Sequence, residues 1–155
     1  MIKPLLFIYC LLFSTGIAFG QTKQKLPIKP AIPELKKLMT GTGLPYKMAS
    51  DSMAVIPYGG ANIESYKVIV QKVSNLYIIY TNLTKAVPGK IDNTKYKYLL
   101  QQNDHFDIVK IGMSSDDNTV YVRADIYTIS ATTPLLTRII KQVANVTNII
   151  GGDLK

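Results

Sequence analysis

Residues 119–129, Thr-Val-Tyr-Val-Arg-Ala-Asp-Ile-Tyr-Thr-Ile, alternate apolar and polar side chains. This period of two predicts a β-strand with one buried and one accessible face. The segment that follows is the clearest helix of the chain, with Thr133 as its predicted N-cap, Pro134 as its first residue and Gly151-Gly152 as its end. A broad apolar stripe along this helix predicts burial against a sheet. The stripe consists of Leu135, Leu136, Ile139, Ile140, Val143, Val146, Ile149 and Ile150.

The same periodicities predict two more helices and three hairpins. A helix over 93–103 begins after Asp92, its predicted N-cap, and a short helix begins near Pro33. The predicted buried stripe of the longer helix is Tyr96, Leu99 and Leu100. The predicted hairpins pair 46–50 with 54–58, 66–73 with 76–83, and 106–113 with 119–129. Within the fourth predicted strand, residues 76–80 are apolar on both faces, which predicts either a position in the middle of the sheet or cover by a helix.

The predicted element order is α-ββ-ββ-α-ββ-α. Consecutive antiparallel strands with amphipathic helices predict an α+β fold, in which an antiparallel sheet has helices packed on one side. A chain of 155 residues is expected to form one domain. We place this domain at residues 33–151 and a short tail at 152–155.

The first twenty residues predict a secretory signal peptide. Lys3 precedes an apolar run, and the small residues Ala18 and Gly20 suit a signal-peptidase site. The apolar run is shorter than the roughly 20 residues that cross a bilayer, which favours cleavage near Gly20 over a membrane anchor. We therefore expect an exported protein, periplasmic or extracellular, with no membrane span in the mature chain. Residues 21–32 are rich in Lys and Pro and predict an extended linker.

Eighteen basic and ten acidic side chains give a net charge of +8. Such an excess favours acidic partners, and it is also a common means of keeping a protein soluble. Export and the lack of an aromatic–basic signature argue against nucleic acid as a partner. One cysteine and one histidine exclude a disulfide framework within the chain, a multi-cysteine zinc site and any site with two imidazoles.

Three motifs were candidates for chemistry. His105 could act as a general base, but the sequence has no nucleophile elbow to serve it. The run 116–118, Asp-Asp-Asn, lacks the rest of a calcium loop, and Gly59-Gly60 lacks the lysine of a phosphate-binding loop. All three are more typical of turns. The sequence therefore predicts no catalytic, cofactor-binding or metal-binding residue, and a protein that is not an enzyme.

The accessible face of 119–129 supplies the candidate partner-binding residues. Tyr121, Arg123, Asp125 and Tyr127 share that face, and Tyr and Arg are favoured where proteins meet. A protein partner could cover them. A second copy of the chain could also do so, which would make the protein a homodimer.

The chain resembles a known family in texture and element order. The points of likeness are Gly43-Leu44-Pro45-Tyr46 at the first strand and Tyr98-Leu99-Leu100-Gln101-Gln102-Asn103 at a helix end, followed by a hairpin and a long helix. Over about residues 33 to 151 this resembles the YbjN family, whose fold is that of type III secretion (CesT-like) chaperones. The resemblance implies a scaffold that binds extended protein segments across its sheet or edges and often dimerises. Those chaperones are cytosolic and usually acidic, unlike this chain.

These observations together predict an exported, non-catalytic protein-binding module on a secretion-chaperone-like scaffold. Two alternatives stay open. One is a basic adaptor for acidic envelope polysaccharide or lipid headgroups, and the other is a small enzyme centred on His105.

Overall fold

The computed structural model describes residues 34–87 and 91–154. The predicted signal peptide at 1–20, the predicted linker at 21–32 and Pro33 lie outside the described residues. The helices are α1 (Leu35–Gly41), α2 (Leu83–Ala86), α3 (Asn93–Gln102) and α4 (Thr133–Asp153). The strands are β1 (Lys47–Ser50), β2 (Met53–Tyr58), β3 (Tyr66–Val73), β4 (Leu76–Asn82), β5 (Lys110–Met113) and β6 (Val120–Tyr127).

The six strands form one sheet in the order β1-β2-β3-β4-β6-β5, and every neighbouring pair is antiparallel. The predicted α+β class, with an antiparallel sheet and helices packed against it, is confirmed. Strand β4 lies between β3 and β6, in the middle of the sheet, which is the first of the two alternatives that its apolar faces predict. Strand β5 forms one edge. Strand β1 forms the other and carries a β-bulge between Met48 and Ser50.

The core lies between the sheet and α4. Alternate residues of each strand face this layer, and those of β6, Val120, Val122, Ala124 and Ile126, are all buried. On α4 the predicted apolar stripe is mostly buried, although Ile149 is 41% exposed. A hydrogen bond of 2.8 Å from the Tyr66 hydroxyl to the Ala144 carbonyl oxygen also joins β3 to α4. The apolar stripe of α4 and the inward-facing strand residues thus pack against each other and form one core.

The N-caps of the two longer helices test the capping predictions. Asp92 caps α3 as predicted, since its carboxylate accepts a hydrogen bond from the Lys95 backbone N–H. The predicted cap of α4 is wrong by one residue. Thr132 is the N-cap and accepts from the Leu135 N–H, whereas Thr133 is already helical and Pro134 follows it. Proline is still tolerated there because the first turn has no partner for its missing N–H.

The prediction that Gly151-Gly152 ends the last helix is also wrong. The helix continues to Asp153, and Leu154 is buried, so the predicted tail at 152–155 is in contact with the domain up to Leu154. The two glycines instead allow the loop at 62–63 to approach the helix closely. A Cβ atom on Gly151 would clash with Ile63, and one on Gly152 would lie 2.6 Å from the Asn62 side chain.

Four other differences concern short or edge elements. Leu100 of α3 is 63% exposed, contrary to the predicted stripe, whereas Leu99 is buried as predicted, where α3 packs at the β5 edge of the sheet. Strand β5 begins at Lys110 and not at residue 106, because the chain bends at 107–108 after a 3₁₀ turn at 103–105. Another 3₁₀ turn, at 128–130, follows β6. The four-residue helix α2 was not predicted.

Candidate functional site

The side of the sheet opposite α4, here called the outer face, carries the candidate site. It consists of the strand residues that alternate with the core residues. Among the described residues, none of its side chains is fully buried. Its main members on the four central strands are Met53, Val55, Pro57, Lys67, Ile69, Gln71, Val73, Leu76, Ile78, Tyr80, Asn82, Tyr121, Arg123, Asp125 and Tyr127.

Strand register aligns these side chains in rows across the sheet. The central row runs Val55–Ile69–Tyr80–Arg123, and the next row contains Ile78 paired with Asp125. A third row runs Val73–Leu76–Tyr127. Cross-strand neighbours of this kind lie about 5 Å apart, so the rows form one continuous surface. That surface is largely apolar and is half exposed to solvent.

The four residues predicted from the sequence do lie together on this face, on β6. Arg123 and Asp125 form a two-pronged ion pair, with Nε to Oδ1 at 2.7 Å and Nη2 to Oδ2 at 2.8 Å. Their side chains are 36% and 39% exposed. The hydrogen bond to Asp125 raises the pKa of Arg123, which keeps the guanidinium charged. Asp125 therefore already neutralises the one arginine of this face.

Tyr121 and Tyr127 differ in environment. Tyr121 lies over Gly112 of β5, where an added Cβ would be 2.6 Å from the tyrosine hydroxyl oxygen. Glycine at this position gives the ring room to cover the neighbouring strand. Tyr127 is 61% exposed and has an apolar neighbour, Leu76, across the sheet. Tyr127 is thus the more accessible aromatic side chain for a partner.

A cavity of about 490 Å³ opens at the β3–β4 end of the outer face. Lys67 of β3 and Lys85 of α2 line it, together with Ile69, Tyr80 and Asn82. Desolvation by burial raises the pKa of Tyr80. Arg123–Asp125 is the single ion pair between residues of the described ranges, so neither lysine has an acidic partner there. This end of the face therefore carries two ammonium groups beside an apolar surface.

The motifs set aside on sequence grounds lie elsewhere. His105 is exposed and lines a shallow depression of about 260 Å³ with Asp107 and Arg138, but no described acid is hydrogen-bonded to it. Hydrogen bonds from Thr119 lower the pKa of Asp117, which belongs to the β5–β6 turn. Over 34–87 and 91–154, no group of three or more His, Cys, Asp or Glu side chains could hold a metal ion.

The sequence prediction identified one strand of the face and missed its neighbours. Ile69, Ile78 and Tyr80 contribute much of the apolar surface, and Lys67 and Lys85 its charge. The signal for Ile78 and Tyr80 was present, because 76–80 is apolar at every position. That pattern was interpreted as a central position in the sheet or as cover by a helix, and not as an exposed binding surface.

Comparison with known proteins places the architecture. SpcU in the heterodimeric ExoU–SpcU complex of the Pseudomonas aeruginosa type III secretion system superposes with a TM-score of 0.53 and 16% identity, over 76% of this chain and 94% of that one. YbjN from E. coli superposes with a TM-score of 0.52 and 10% identity, over 79% of this chain and 92% of that one. The fold is YbjN-like and secretion-chaperone-like. The resemblance seen in the sequence is confirmed for the fold.

No family model and no curated protein matches the sequence. Within the described ranges, the helices are too short or too polar to span a membrane.

Proposed function

We propose that this protein is an exported, non-catalytic module that holds an extended segment of a protein partner on the outer face of its sheet. The single observation that carries the proposal is the cluster of only partly buried side chains formed by Ile69, Ile78 and Tyr80 in two neighbouring rows, on the side opposite the core. An antiparallel sheet that faces water usually carries polar residues there. A contiguous apolar surface indicates a site that another molecule covers.

The fold supports the same proposal. SpcU, a secretion chaperone with this fold, was solved as a heterodimeric complex with ExoU. Tyr127 and the Arg123–Asp125 pair supply the aromatic and guanidinium groups that are enriched at protein interfaces. Because fold alone does not carry function, the outer face and not the likeness is the basis of the proposal.

Export is the second component, and it depends on residues 1–20. Edman sequencing of the protein from the producing cell is expected to begin at Gln21. A protein that retains Met1 in the membrane fraction would contradict cleavage and favour an anchor.

The adaptor for acidic polysaccharide or lipid is the less favoured alternative. The described residues contain twelve of the basic side chains and all ten acidic ones, so the folded domain itself is nearly balanced in charge. An adaptor would bind through lysines alone, and its binding would weaken steeply as salt is raised. Binding on an apolar face would persist at high salt. An enzyme centred on His105 predicts an activity that His105→Ala abolishes.

Affinity capture from an envelope extract tests the proposal. Wild-type protein is expected to retain a specific partner, and Arg123→Ala and Tyr127→Ala are expected to lose it. Ile149→Ala is the matched control, since Ile149 is an exposed apolar residue on α4. Recovery of no protein, or of the same proteins with the outer-face variants, would contradict the proposal. Light scattering of the purified protein identifies the case in which the partner is a second copy.

A further inference from the structure

The outer face has two chemically different ends. At one end the row Val73–Leu76–Tyr127 is apolar, and Val73 is 42% exposed. At the other end Lys67 and Lys85 line the cavity described above. Lys67 and Val73 lie on the same face of β3, six residues apart, which corresponds to about 20 Å along a strand.

We propose that the partner segment is bipartite, with one or two carboxylates that bind between Lys67 and Lys85 and apolar side chains about 20 Å away that cover the Val73–Leu76–Tyr127 row. This inference rests on the proposed function and adds the chemistry of the segment that the face selects. An extended segment of about six residues spans the distance.

Charge complementarity decides the occupant of the cavity. Asp125 pairs with Arg123, whereas no acid among the described residues pairs with Lys67 or Lys85. The two ammonium groups can therefore accept an incoming anion without breaking an existing pair. Ile69 and Tyr80 beside them exclude part of the solvent, and a charge pair is stronger where water is partly excluded.

The apolar floor favours a protein carboxylate over a bare polyanion. A Glu or Asp side chain enters on a chain whose neighbouring residues can cover Ile69 and Tyr80, and whose continuation reaches Tyr127. A polysaccharide or a lipid headgroup would neutralise the lysines and leave the apolar row exposed. The face therefore fits an acidic–apolar peptide.

Fluorescence anisotropy with labelled peptides of about nine residues tests the inference. One peptide carries Glu-Glu and Leu-Phe with the two groups about six positions apart in the sequence. A second has Gln-Gln in place of Glu-Glu, and a third has the two groups adjacent. Each peptide is made in two versions, with the acidic or amide group either before or after the apolar group in the sequence. For the version that binds better, the wild type is expected to bind the spaced Glu peptide about five- to tenfold more tightly than the Gln peptide.

The double variant Lys67→Gln/Lys85→Gln is expected to remove this preference and to bind the Gln peptide as the wild type does. The control Lys97→Gln/Lys141→Gln removes the same charge from exposed positions on α3 and α4, and it should keep the preference. If neither the Glu nor the Gln peptides bind, the bipartite inference fails, and the affinity capture described above decides separately whether the proposed function fails with it.

Three other results would overturn only the bipartite inference. They are equal binding of Glu and Gln peptides, equal loss in both double variants, and equal binding of the adjacent-group peptide. A uronic-acid polysaccharide that binds with the same dependence on Lys67 and Lys85 would instead favour the adaptor.

Discussion

The side-chain amide of Asn103 pairs with both backbone polar groups of Ile111. Asn103 Nδ2 donates to the Ile111 carbonyl oxygen at 3.0 Å, and Oδ1 accepts from the Ile111 N–H at 2.7 Å. These are the bonds that an additional strand would make with the free side of β5. Asn103 thus occupies the edge of the sheet at Ile111, so that another strand could pair there only by displacing this side chain.

Replacing Asn103 should destabilise the domain and open the edge. Asn103→Leu leaves the Ile111 N–H and carbonyl without protein partners, and the expected loss is about 1–3 kcal/mol in the free energy of unfolding. The free edge should also make the variant more prone to aggregate. Urea unfolding and light scattering measure both effects. Gln101→Ala, at an exposed position of α3, is the control, and an equal loss there would contradict the role of Asn103.

Tyr58 and Tyr66 form a stacked pair, and removing the hydroxyl of each should change the stability differently. Their ring centroids are 6.0 Å apart. The Tyr66 hydroxyl donates to Ala144, whereas the buried Tyr58 hydroxyl has no hydrogen-bond partner among the described residues. Tyr66→Phe should cost about 1–2 kcal/mol, and Tyr58→Phe should be neutral or stabilising. Chemical denaturation compares the two, and equal losses would refute the difference.

Gly151→Ala should reverse the usual helix preference. Alanine normally stabilises a helix by about 1 kcal/mol relative to glycine. Here its Cβ would clash with Ile63, which is buried and cannot move freely, so a net loss of about 1–2 kcal/mol is expected. Asn145→Ala, at an exposed position on α4, should leave the stability unchanged or slightly higher. Thermal melts of both variants show whether each substitution raises or lowers the stability.

Tyr98 should make stability depend on pH in the alkaline range. Desolvation, the hydrogen bond to Asp153 and its negative charge raise the pKa of Tyr98 to about 12. The folded state therefore favours the neutral phenol, and this contribution is full below the unfolded-state pKa of about 10 and is lost as pH rises through 12. Between these values the unfolding free energy of the wild type should fall more steeply than that of Tyr98→Phe. Parallel slopes would contradict the assignment.

Asp125→Asn should have a small effect on stability and a larger one on binding. The pair with Arg123 is more than a third exposed, so its loss should cost less than about 1 kcal/mol. The variant frees the Arg123 guanidinium and should bind the spaced Glu peptide more tightly than the wild type does. Denaturation and anisotropy measure the two effects. Weaker binding of that peptide would show that Asp125 itself contacts the partner.

Local patterns predicted most of the fold. The alternation over 119–129 placed β6 and both of its faces, and Asp92 marked the start of α3. The site on β6 followed from the same alternation, because a period of two determines which side chains share a face. The spacing of Arg123 and Asp125 by two residues would also have allowed their ion pair to be predicted.

What the sequence did not predict depends on contacts between distant segments. Gly151 and Gly152 are typical of a helix end, and only the loop that contains Ile63 explains them inside α4. The cavity requires Lys67 and Lys85 to line the same space, although they are 18 positions apart in the chain. A four-residue helix such as α2 has no periodicity to detect. These features follow from tertiary packing.

The β-bulge between Met48 and Ser50 has a consequence for how copies of this protein can associate. A polymer that grows by strand pairing needs two regular, unpaired edge strands on each subunit, because one must pair with the previous copy and the other with the next. Here one border is kinked and the opposite one is occupied by an amide. Growth along the ladder is therefore disfavoured at both borders, so strand-by-strand addition of further copies has no ready starting point on this domain.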